Sequence, residues 1–432
     1  MSRSKSHGAV RGPARLTLEA LEGRCLPTTY SLTYLGTLGG MYSWAYAINN
    51  AGQVVGKSDV ASSTHAHAYL YRAGAMTDLG TLGGDESEAY AINNHGDVVG
   101  AADATPGQFS RHAFLYHNGA LTDLNALGAT YSFAYDINDA GQVVGDLVYD
   151  NGQQQTYHGF LYQNGVLTDL GAPGGSYCEA YGINTSGQVA GTATFASGMT
   201  HAFLESGGTF TDLGTLPGGQ FSQAYGLNDA GQVVGWADTD SGFDRHAFLY
   251  DNGAMADLGT LGGDFSLASH INAAGQVVGW SYVDSQDSVM RGYVASDGTM
   301  TDLNHLIAPH AEYVVNVADG INDQGVIVGT GQRGPFPGSY ALLLTPNRHQ
   351  PPQRQPLPGP TPVQLAEPPA LPTGPGEVPL TLSPAPGSAV SPVPASPGEQ
   401  PSPVVATPHL AVQEMHSDQP PSLADPLGPE GV

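Results

Sequence analysis

Short runs of apolar residues alternate with clusters of Gly, Asn and Asp between residues 30 and 345. The runs are rich in Val, Leu, Ala, Tyr and Phe, which is typical of β-strands. The clusters between them contain the residues that accept the positive φ angles of tight hairpins. No stretch shows the 3.6-residue period of an amphipathic helix, so the pattern predicts an all-β structure.

The apolar runs form a repeat. The segment AYAINNAGQVVG, residues 45–56, returns with small changes so that seven copies follow one another. The anchor dipeptides of the copies are Ile48-Asn49, Ile92-Asn93, Ile137-Asn138, Ile183-Asn184, Leu227-Asn228, Ile271-Asn272 and Ile321-Asn322. Their spacings of 44, 45, 46, 44, 44 and 50 residues are typical of one propeller blade per repeat.

Each repeat contains four strand-like runs. In the first repeat they are Ser43–Asn49, Gln53–Asp59, His67–Tyr71 and Ala75–Gly80. Two tight turns, NAG and RAG, separate the first run from the second and the third run from the fourth. Parallel solenoids and leucine-rich repeats have shorter units without two hairpins each, and helical repeats need a different period. The repeat therefore predicts blades of four antiparallel strands.

The two ends of the repeat region fit together. The fourth-strand signature T/A-D-L-G/N occurs six times for seven repeats, because the last repeat ends after its third run, Tyr340–Leu344. The missing strand is at the other end, where SLTYLGTLGG, Ser31–Gly40, has no blade before it. We therefore predict a seven-bladed β-propeller closed by its N-terminal strand, which removes an unpaired edge. In this ring the AYAIN strands line the axis and the TDLG strands are outermost.

Composition divides the chain into three parts. Residues 1–29 are a leader with a basic start but without the apolar core of an ordinary secretion signal. Residues 30–345 are the predicted propeller. Residues 346–432 carry 24 of the 32 prolines and are predicted to be a disordered, proline-rich tail. No apolar run reaches the ~18–20 residues of a membrane span.

Charge and cysteines narrow the possible partners. The net charge is −26, and the repeat region has 30 Asp and Glu against six Lys and Arg. A surface this acidic repels the phosphate backbone of nucleic acids. We therefore predict that nucleic acid is not a partner. The two cysteines, Cys25 and Cys178, cannot form a disulfide framework. We expect a monomeric ring.

The two faces of the predicted ring differ. The face with the NNAG and NG turns, called the turn face, is nearly the same in every repeat and is interpreted as structural. The opposite face, called the link face, carries the TLGGxxS links and the variable loops between second and third strands, where function is expected. Candidate binding residues there are aromatic: Tyr42, Tyr131, Tyr177, Phe221, Phe265, Trp236 and Trp280. Aromatic rings can stack on sugars, but they can equally pack between blades.

Histidines and carboxylates also recur on the link face. His67, His112, His158, His201 and His246 open five third strands, and we expect them to be structural, bonded to the inter-blade loop, because their spacing does not suit a shared metal. Loop carboxylates could hold calcium, or they could be solvated turn residues. The candidate ligands are Asp238, Asp240, Asp244, Asp284 and Asp287. No other cofactor is predicted.

No catalytic motif is present in the sequence. It contains neither a GxSxG elbow nor a phosphate-binding loop, and its glycines occur in turns. Three functions remain open. The first is a non-catalytic module that binds a glycan or a protein on the link face. The second is a glycan-cleaving lyase or hydrolase with paired carboxylates near the axis. The third is a purely structural surface protein.

Two segments resemble known families. The units HAFLY, as at His246–Tyr250, and INDAGQVVG, as at Ile137–Gly145, resemble the bacterial extracellular HAF repeat family over nearly all of residues 30–345. Arg291-Gly-Tyr and Tyr340-Ala-Leu replace His-Ala-Phe in the last two copies. The leader segment LTLEALEGRCLP, Leu16–Pro27, is similar to an LExLExRxLP element of planctomycete surface and secreted proteins. Both resemblances imply an extracellular or cell-surface protein, and neither implies catalytic residues.

Overall fold

The computed structural model describes residues 29–347, apart from residues 62–64, 126, 176, 240–243, 285, 287, 310 and 335 and the side chains of residues 336 and 337. The predicted leader and tail therefore lie almost entirely outside the described residues, as do Asp240 and Asp287. Within this part of the chain no helix is long and apolar enough to cross a membrane.

The described residues form 28 strands and a short 3-10 helix, Leu303–His305. In chain order the strands are β1 (Tyr30–Tyr34), β2 (Gly39–Ile48), β3 (Val54–Val60), β4 (Ala66–Arg72), β5 (Ala75–Gly80), β6 (Ser87–Ile92), β7 (Val98–Asp103), β8 (Arg111–His117), β9 (Ala120–Asp123), β10 (Tyr131–Ile137), β11 (Val143–Asp150), β12 (Gln155–Gln163), β13 (Val166–Gly171), β14 (Cys178–Ile183), β15 (Val189–Thr194), β16 (Thr200–Ser206), β17 (Thr209–Asp212), β18 (Ser222–Leu227), β19 (Val233–Asp238), β20 (Arg245–Asp251), β21 (Ala254–Asp257), β22 (Ser266–Ile271), β23 (Val277–Tyr282), β24 (Met290–Ser296), β25 (Thr299–Asp302), β26 (Tyr313–Ile321), β27 (Ile327–Arg333) and β28 (Phe336–Pro346).

These strands form seven four-stranded antiparallel sheets, as predicted. Blades 1 to 6 are built from consecutive strands, β2–β5 to β22–β25, and blade 7 has the order β26, β27, β28, β1. Strand β1 pairs with β28 from Tyr30 opposite Pro346 to Tyr34 opposite Leu342. The first and last inner strands, β2 and β26, are in contact, so the ring is closed. The predicted propeller and its closure by the N-terminal strand are confirmed.

The first strand of each blade lies at the axis, where it contacts the first strands of both neighbouring blades. A β-bulge interrupts each of these strands at the same place, between the two flanking positions of the AYA motif. A bulge leaves one residue outside the regular pairing and re-aims its side chain. The bulged residues are Tyr46, Tyr90, Tyr135, Tyr181, Tyr225, Ser269 and Asp319.

The glycine of each QVVG motif lies opposite the bulge. A Cβ atom added at Gly235 would come within 1.8 Å of the carbonyl oxygen of Gln223, and the equivalent distance at Gly191 is 2.0 Å. Such approaches leave no room for any side chain. The recurring glycine is therefore required by the close backbone contact that the bulge creates.

The apolar core lies between neighbouring blades. One cluster joins Val55 and Leu70 of blade 1 to Ile92 and Phe114 of blade 2, and similar clusters fill the other junctions. Because both faces of a blade are covered in this way, its strands read as apolar runs without strict alternation. The side chain of Cys178 is fully buried at the junction of blades 3 and 4. It has no disulfide partner among the described residues.

A ring of buried asparagines links neighbouring blades on the turn face. Each asparagine of the INN or IND motif donates through Nδ2 to the backbone carbonyl oxygen of its counterpart in the next blade, over 2.9–3.3 Å. The asparagines are Asn49, Asn93, Asn138, Asn184, Asn228, Asn272 and Asn322, and the last bonds to the first. Each side-chain oxygen also accepts two backbone N–H groups of its own turn, as at Asn184. These turns have the structural role expected for that face.

Candidate functional site

A groove of about 240 Å³ opens on the link face between blades 4 and 5. Its lining residues are Tyr177, Thr192, Thr200, Phe221, Ser222, Gln223 and Trp236. Three of the predicted aromatic residues, Tyr177, Phe221 and Trp236, are therefore brought together in one place.

The strand ends position these aromatic rings. Tyr177 and Phe221 directly precede the inner strands β14 and β18, at the link-face end of each blade. Trp236 lies on β19 opposite Gln223 of β18, so the cross-strand register places the indole beside the amide. Phe221 is 46% exposed, although phenylalanine in a folded protein is usually buried. The groove thus presents an uncovered aromatic ring to solvent.

Polar groups complete the groove. Thr192 is 3% exposed, and its Oγ1 has no hydrogen-bond partner among the described residues. Gln223, which is 8% exposed, donates from Nε2 to the hydroxyl of Tyr181 over 3.3 Å. A buried hydroxyl without a partner is costly unless something else bonds to it. Aromatic walls with a few convergent polar groups are the usual composition of a ligand site.

Arg245 holds one wall in place. Its guanidinium carbon lies 4.3 Å from the ring centroid of Trp236 and 5.8 Å from that of Phe265. Its Nε lies 3.5 Å from an oxygen of Asp238, whose pKa is raised by partial burial against the opposing effect of this cation. A cation over an indole face is attracted by the ring quadrupole. The contact therefore fixes the indole that lines the groove.

A pair of buried carboxyl groups lies near the groove, between blades 3 and 4. Asp146 is 1% exposed and Glu179 is 6% exposed. One oxygen of Glu179 accepts hydrogen bonds from the hydroxyls of Tyr177, over 2.6 Å, and Tyr181. Burial raises the pKa of both carboxyls, and repulsion by Glu179 raises that of Asp146 further. Neither carboxyl group lines the groove.

The equivalent positions of blades 1 and 2 carry opposite charges. There Lys57 Nζ lies 3.0 Å from Glu88, which also faces the guanidinium of Arg111 at 3.6 Å. Asp146 occupies the position of Lys57 in its repeat, so the junction of blades 3 and 4 has a carboxyl group where the junction of blades 1 and 2 has an ammonium group. The side chains of Asp146 and Glu179 are both enclosed by protein.

The remaining predicted aromatic residues are spread around the link face. Phe265 stacks on Trp280 with centroids 5.0 Å apart, and Trp280 is 5% exposed. Tyr131 packs edge-on against the exposed Phe109 at 5.1 Å, and Tyr42 lies 6.4 Å from Trp44. These rings mostly pack against neighbouring aromatic residues, the alternative that the sequence left open.

The five recurring histidines have a different partner from the one predicted. Each donates from Nδ1 to the aspartate of the fourth strand of its own blade, over 2.8–2.9 Å, and not to the inter-blade loop. The pairs are His67–Asp78, His112–Asp123, His158–Asp169, His201–Asp212 and His246–Asp257. The same aspartate accepts a backbone N–H two residues on, as from Gly214 to Asp212. The TDLG motif indicates a strand, but its spacing from the histidine does not identify its aspartate as the acceptor.

Two of the candidate calcium ligands, Asp238 and Asp284, have protein groups as partners. Asp238 faces Arg245, and Asp284 accepts hydrogen bonds from Gln286 and Ser288. Asp244 is half-buried. Among the described residues no three His, Cys, Asp or Glu side chains are grouped as metal ligands would be. Asp240 and Asp287 lie outside that part of the chain.

The fold and its groove define a seven-bladed β-propeller with an aromatic groove on the link face. Two overlapping stretches, residues 42–198 and 128–334, match the model of a family described as protein of unknown function (DUF3466). The chain belongs to this family. No curated protein matches the sequence.

Several solved structures are similar in fold alone. TolB from Acinetobacter baumannii is 12% identical, with 52% of this chain and 61% of that chain covered and a TM-score of 0.35. A puromycin-hydrolysing peptidase of Mycobacterium tuberculosis is 13% identical, with coverages of 69% and 51% and a TM-score of 0.43. A mutant Aleuria aurantia lectin in complex with Fucalpha1-6GlcNAc is 10% identical, with coverages of 62% and 96% and a TM-score of 0.36. This chain thus spans 61% and 51% of the lengths of the first two structures.

Proposed function

We propose that this protein is a non-catalytic binding module that takes a carbohydrate in the groove between blades 4 and 5. The observation that carries the proposal is the exposed ring of Phe221 facing the same groove as Tyr177 and Trp236. Aromatic faces stack on the apolar faces of sugar rings. Thr192 and Gln223 line the same groove, and their hydroxyl and amide would bond to sugar hydroxyls.

The chemistry of the groove favours binding over cleavage. Glycoside hydrolysis needs two carboxyl groups that flank the scissile bond. The groove is lined by aromatic rings, hydroxyls and an amide, whereas the nearby Asp146 and Glu179 are enclosed. These observations support a site that holds its ligand without transforming it.

We further propose an extracellular or cell-surface location. This rests on the HAF-type repeats and on the LExLExRxLP-like leader segment, Leu16–Pro27. The acidic surface suits such a location because it keeps a protein soluble and repels polyanions. Residues 346–432 would then act as a tether.

The decisive experiment is a glycan array with the full chain, with and without calcium, followed by affinity measurements on the best ligand. Phe221→Ala should weaken binding at least tenfold, because aromatic anchors carry much of the affinity of such sites. Thr192→Val, which keeps the shape and removes the hydroxyl, should weaken binding to a lesser degree.

The matched control is Phe109→Ala. Phe109 is 43% exposed on a loop of blade 2 and is not part of the groove, so its removal should leave glycan affinity unchanged. Equal affinity of Phe221→Ala and the wild type would exclude the groove. Failure to bind any glycan under both conditions would contradict the proposal and favour a protein partner or a structural role.

A further inference from the structure

The axis of the ring contains a second site, formed by the seven bulged residues. Five of them are tyrosines, whereas blades 6 and 7 supply Ser269 and Asp319. A cavity of about 100 Å³ lies among these side chains. Ser269 and Asp319 leave a gap in the circle of tyrosines, and Asp319 places a carboxyl group at this gap.

The cavity adjoins a wider one of about 180 Å³ on the turn face. The two cavities share lining residues, among them Asp136 and His270. Asp139, Asp229 and Asp323 line the outer cavity, and their side chains accept hydrogen bonds from the neighbouring turns. The outer cavity therefore forms an acidic mouth directly above the five tyrosines.

The passage repels anions and attracts cations. No Lys or Arg is among the described residues that line either cavity. Burial lowers the pKa of His270 and so disfavours a positive charge on this imidazole. Its Nδ1 has no hydrogen-bond partner among the described residues. Clefts lined by one sign of charge concentrate ions of the other sign.

Asp319 is the most unusual group in this passage. It is 4% exposed, and neither of its side-chain oxygens has a hydrogen-bond partner among the described residues. Burial raises the pKa of this carboxyl well above its usual range. A buried carboxylate without a partner is very costly, so it must bind a proton or face a cation.

The circle formed by the five tyrosine side chains has dimensions that suit a cation. Centroids of neighbouring rings, from Tyr46 through Tyr90, Tyr135 and Tyr181 to Tyr225, are 6.1, 5.7, 4.8 and 5.2 Å apart. Seven steps of this length close a ring with a radius of about 6 Å, the distance within which an aromatic ring attracts a cation. A bare metal ion would need several oxygen ligands, and no group of three carboxylate or histidine ligands is present in the described residues.

We propose that the axial cavity binds a small organic ammonium group, which pairs with the Asp319 carboxylate inside the ring of five tyrosines. The tyrosines supply the aromatic surface, Ser269 leaves the space that a sixth tyrosine would fill, and the aspartates of the mouth guide the cation inwards. The site is separate from the groove on the link face, so failure of one proposal does not affect the other.

The test is calorimetric titration of the full chain with methylammonium chloride and with tetramethylammonium chloride in a sodium buffer. We expect saturable binding of at least one of the two probes to a single site per chain. Asp319→Asn should weaken this binding at least tenfold, because it removes the counter-charge and keeps the shape. Ser269→Tyr should also weaken it, because a tyrosine at this position fills the gap.

The matched control is Asp297→Asn, which makes the same charge change in an exposed outer turn of blade 6. It should bind the probe like the wild type. Circular dichroism confirms that each variant is folded, and Ser269→Tyr keeps the test decisive should Asp319→Asn fail to fold. No binding of either probe, unchanged affinity in both axial variants, or equal competition by potassium chloride would overturn the proposal.

Discussion

At the scale of single residues, the repeat motif records backbone geometry more than chemistry. The glycine of QVVG recurs in all seven blades because an inner-strand carbonyl oxygen occupies the space of its missing side chain. The asparagine of the IN motif recurs because its amide bonds two N–H groups of its own turn and the carbonyl oxygen of the next blade. Both residues are fixed by contacts that a sequence pattern does not reveal by itself.

The glycine can be tested directly. Gly235→Ala should destabilise the protein by about 3 kcal/mol or more, because its Cβ would come within 1.8 Å of a carbonyl oxygen and the bulge would have to shift. Gly182→Ala is the matched control, since its nearest neighbour would be 3.3 Å away and other blades carry alanine at this position. Urea denaturation should show a large loss of stability for the first variant and a small change for the second. Equal losses would disprove the steric argument.

The buried carboxyl pair predicts an unusual pH dependence. The folded-state pKa of Asp146 is raised, so the native protein binds its proton more tightly than the unfolded chain does. Stability is therefore lost as pH rises from the unfolded pKa, about 4, through the folded value. Asp146→Asn should remove this loss and stabilise the protein by roughly 1–3 kcal/mol at pH 8, with a smaller effect at pH 4.

Urea denaturation of the wild type and Asp146→Asn at several pH values measures this difference. The exposed Asp297→Asn serves as the control, because it should shift stability by little at any pH. A gain that is as large at pH 4 as at pH 8 would show that packing, and not the titration of Asp146, is responsible.

At the scale of strands and blades, the sequence predicts what is local and repeated. The hairpin turns, the four strands per repeat and the unpaired N-terminal strand were all visible in the period and in the turn residues. The contacts that join different blades were not visible. Asp146 and Glu179 are 33 residues apart and meet because one strand faces the next blade, and the groove combines side chains of two blades in the same way.

The partner of the recurring histidines illustrates the same limit. His201 and Asp212 lie on adjacent strands of one blade, and each belongs to a motif that recurs in the sequence. Spacing alone does not give the direction in which a side chain points, so the sequence does not distinguish this aspartate from the inter-blade loop, the partner we expect from the sequence. The pairing follows from cross-strand register, which the structure supplies.

The N-terminal strand gives a prediction at this scale. Deleting Tyr30–Gly40 should markedly destabilise the ring or cause association, because it uncovers the edge of β28 and removes the buried side chains of Tyr30 and Leu35. Thermal unfolding and light scattering measure the two outcomes. Adding back a peptide of residues 29–40 should partly restore stability if the strand acts by pairing. An unchanged melting temperature would contradict closure by this strand.

At the scale of the whole molecule, the two ends of the described chain are tied together. Asn347 donates its backbone N–H to the carbonyl oxygen of Thr29 over 2.7 Å, and its side chain bonds Ser31 and Thr29. Strand pairing extends to Pro346, opposite Tyr30. The ring therefore uses two residues beyond the boundary predicted at residue 345, and a cut at that boundary removes contacts that hold the closing strand.

The contacts of Pro346 and Asn347 give a more specific prediction for truncation of the proline-rich tail. A chain that ends at Asn347 should keep the melting temperature of the full chain, because every contact of β1 with β28 is retained. A chain that ends at Thr345 should melt a few degrees lower, since it loses the Pro346 pairing and the Asn347 hydrogen bonds, which are together worth about 1–2 kcal/mol. Differential scanning calorimetry of the three chains resolves such shifts. If both truncations melt like the full chain, the end contacts contribute nothing to closure; if both melt equally low, residues 348–432 stabilise the ring and do not act only as a tether.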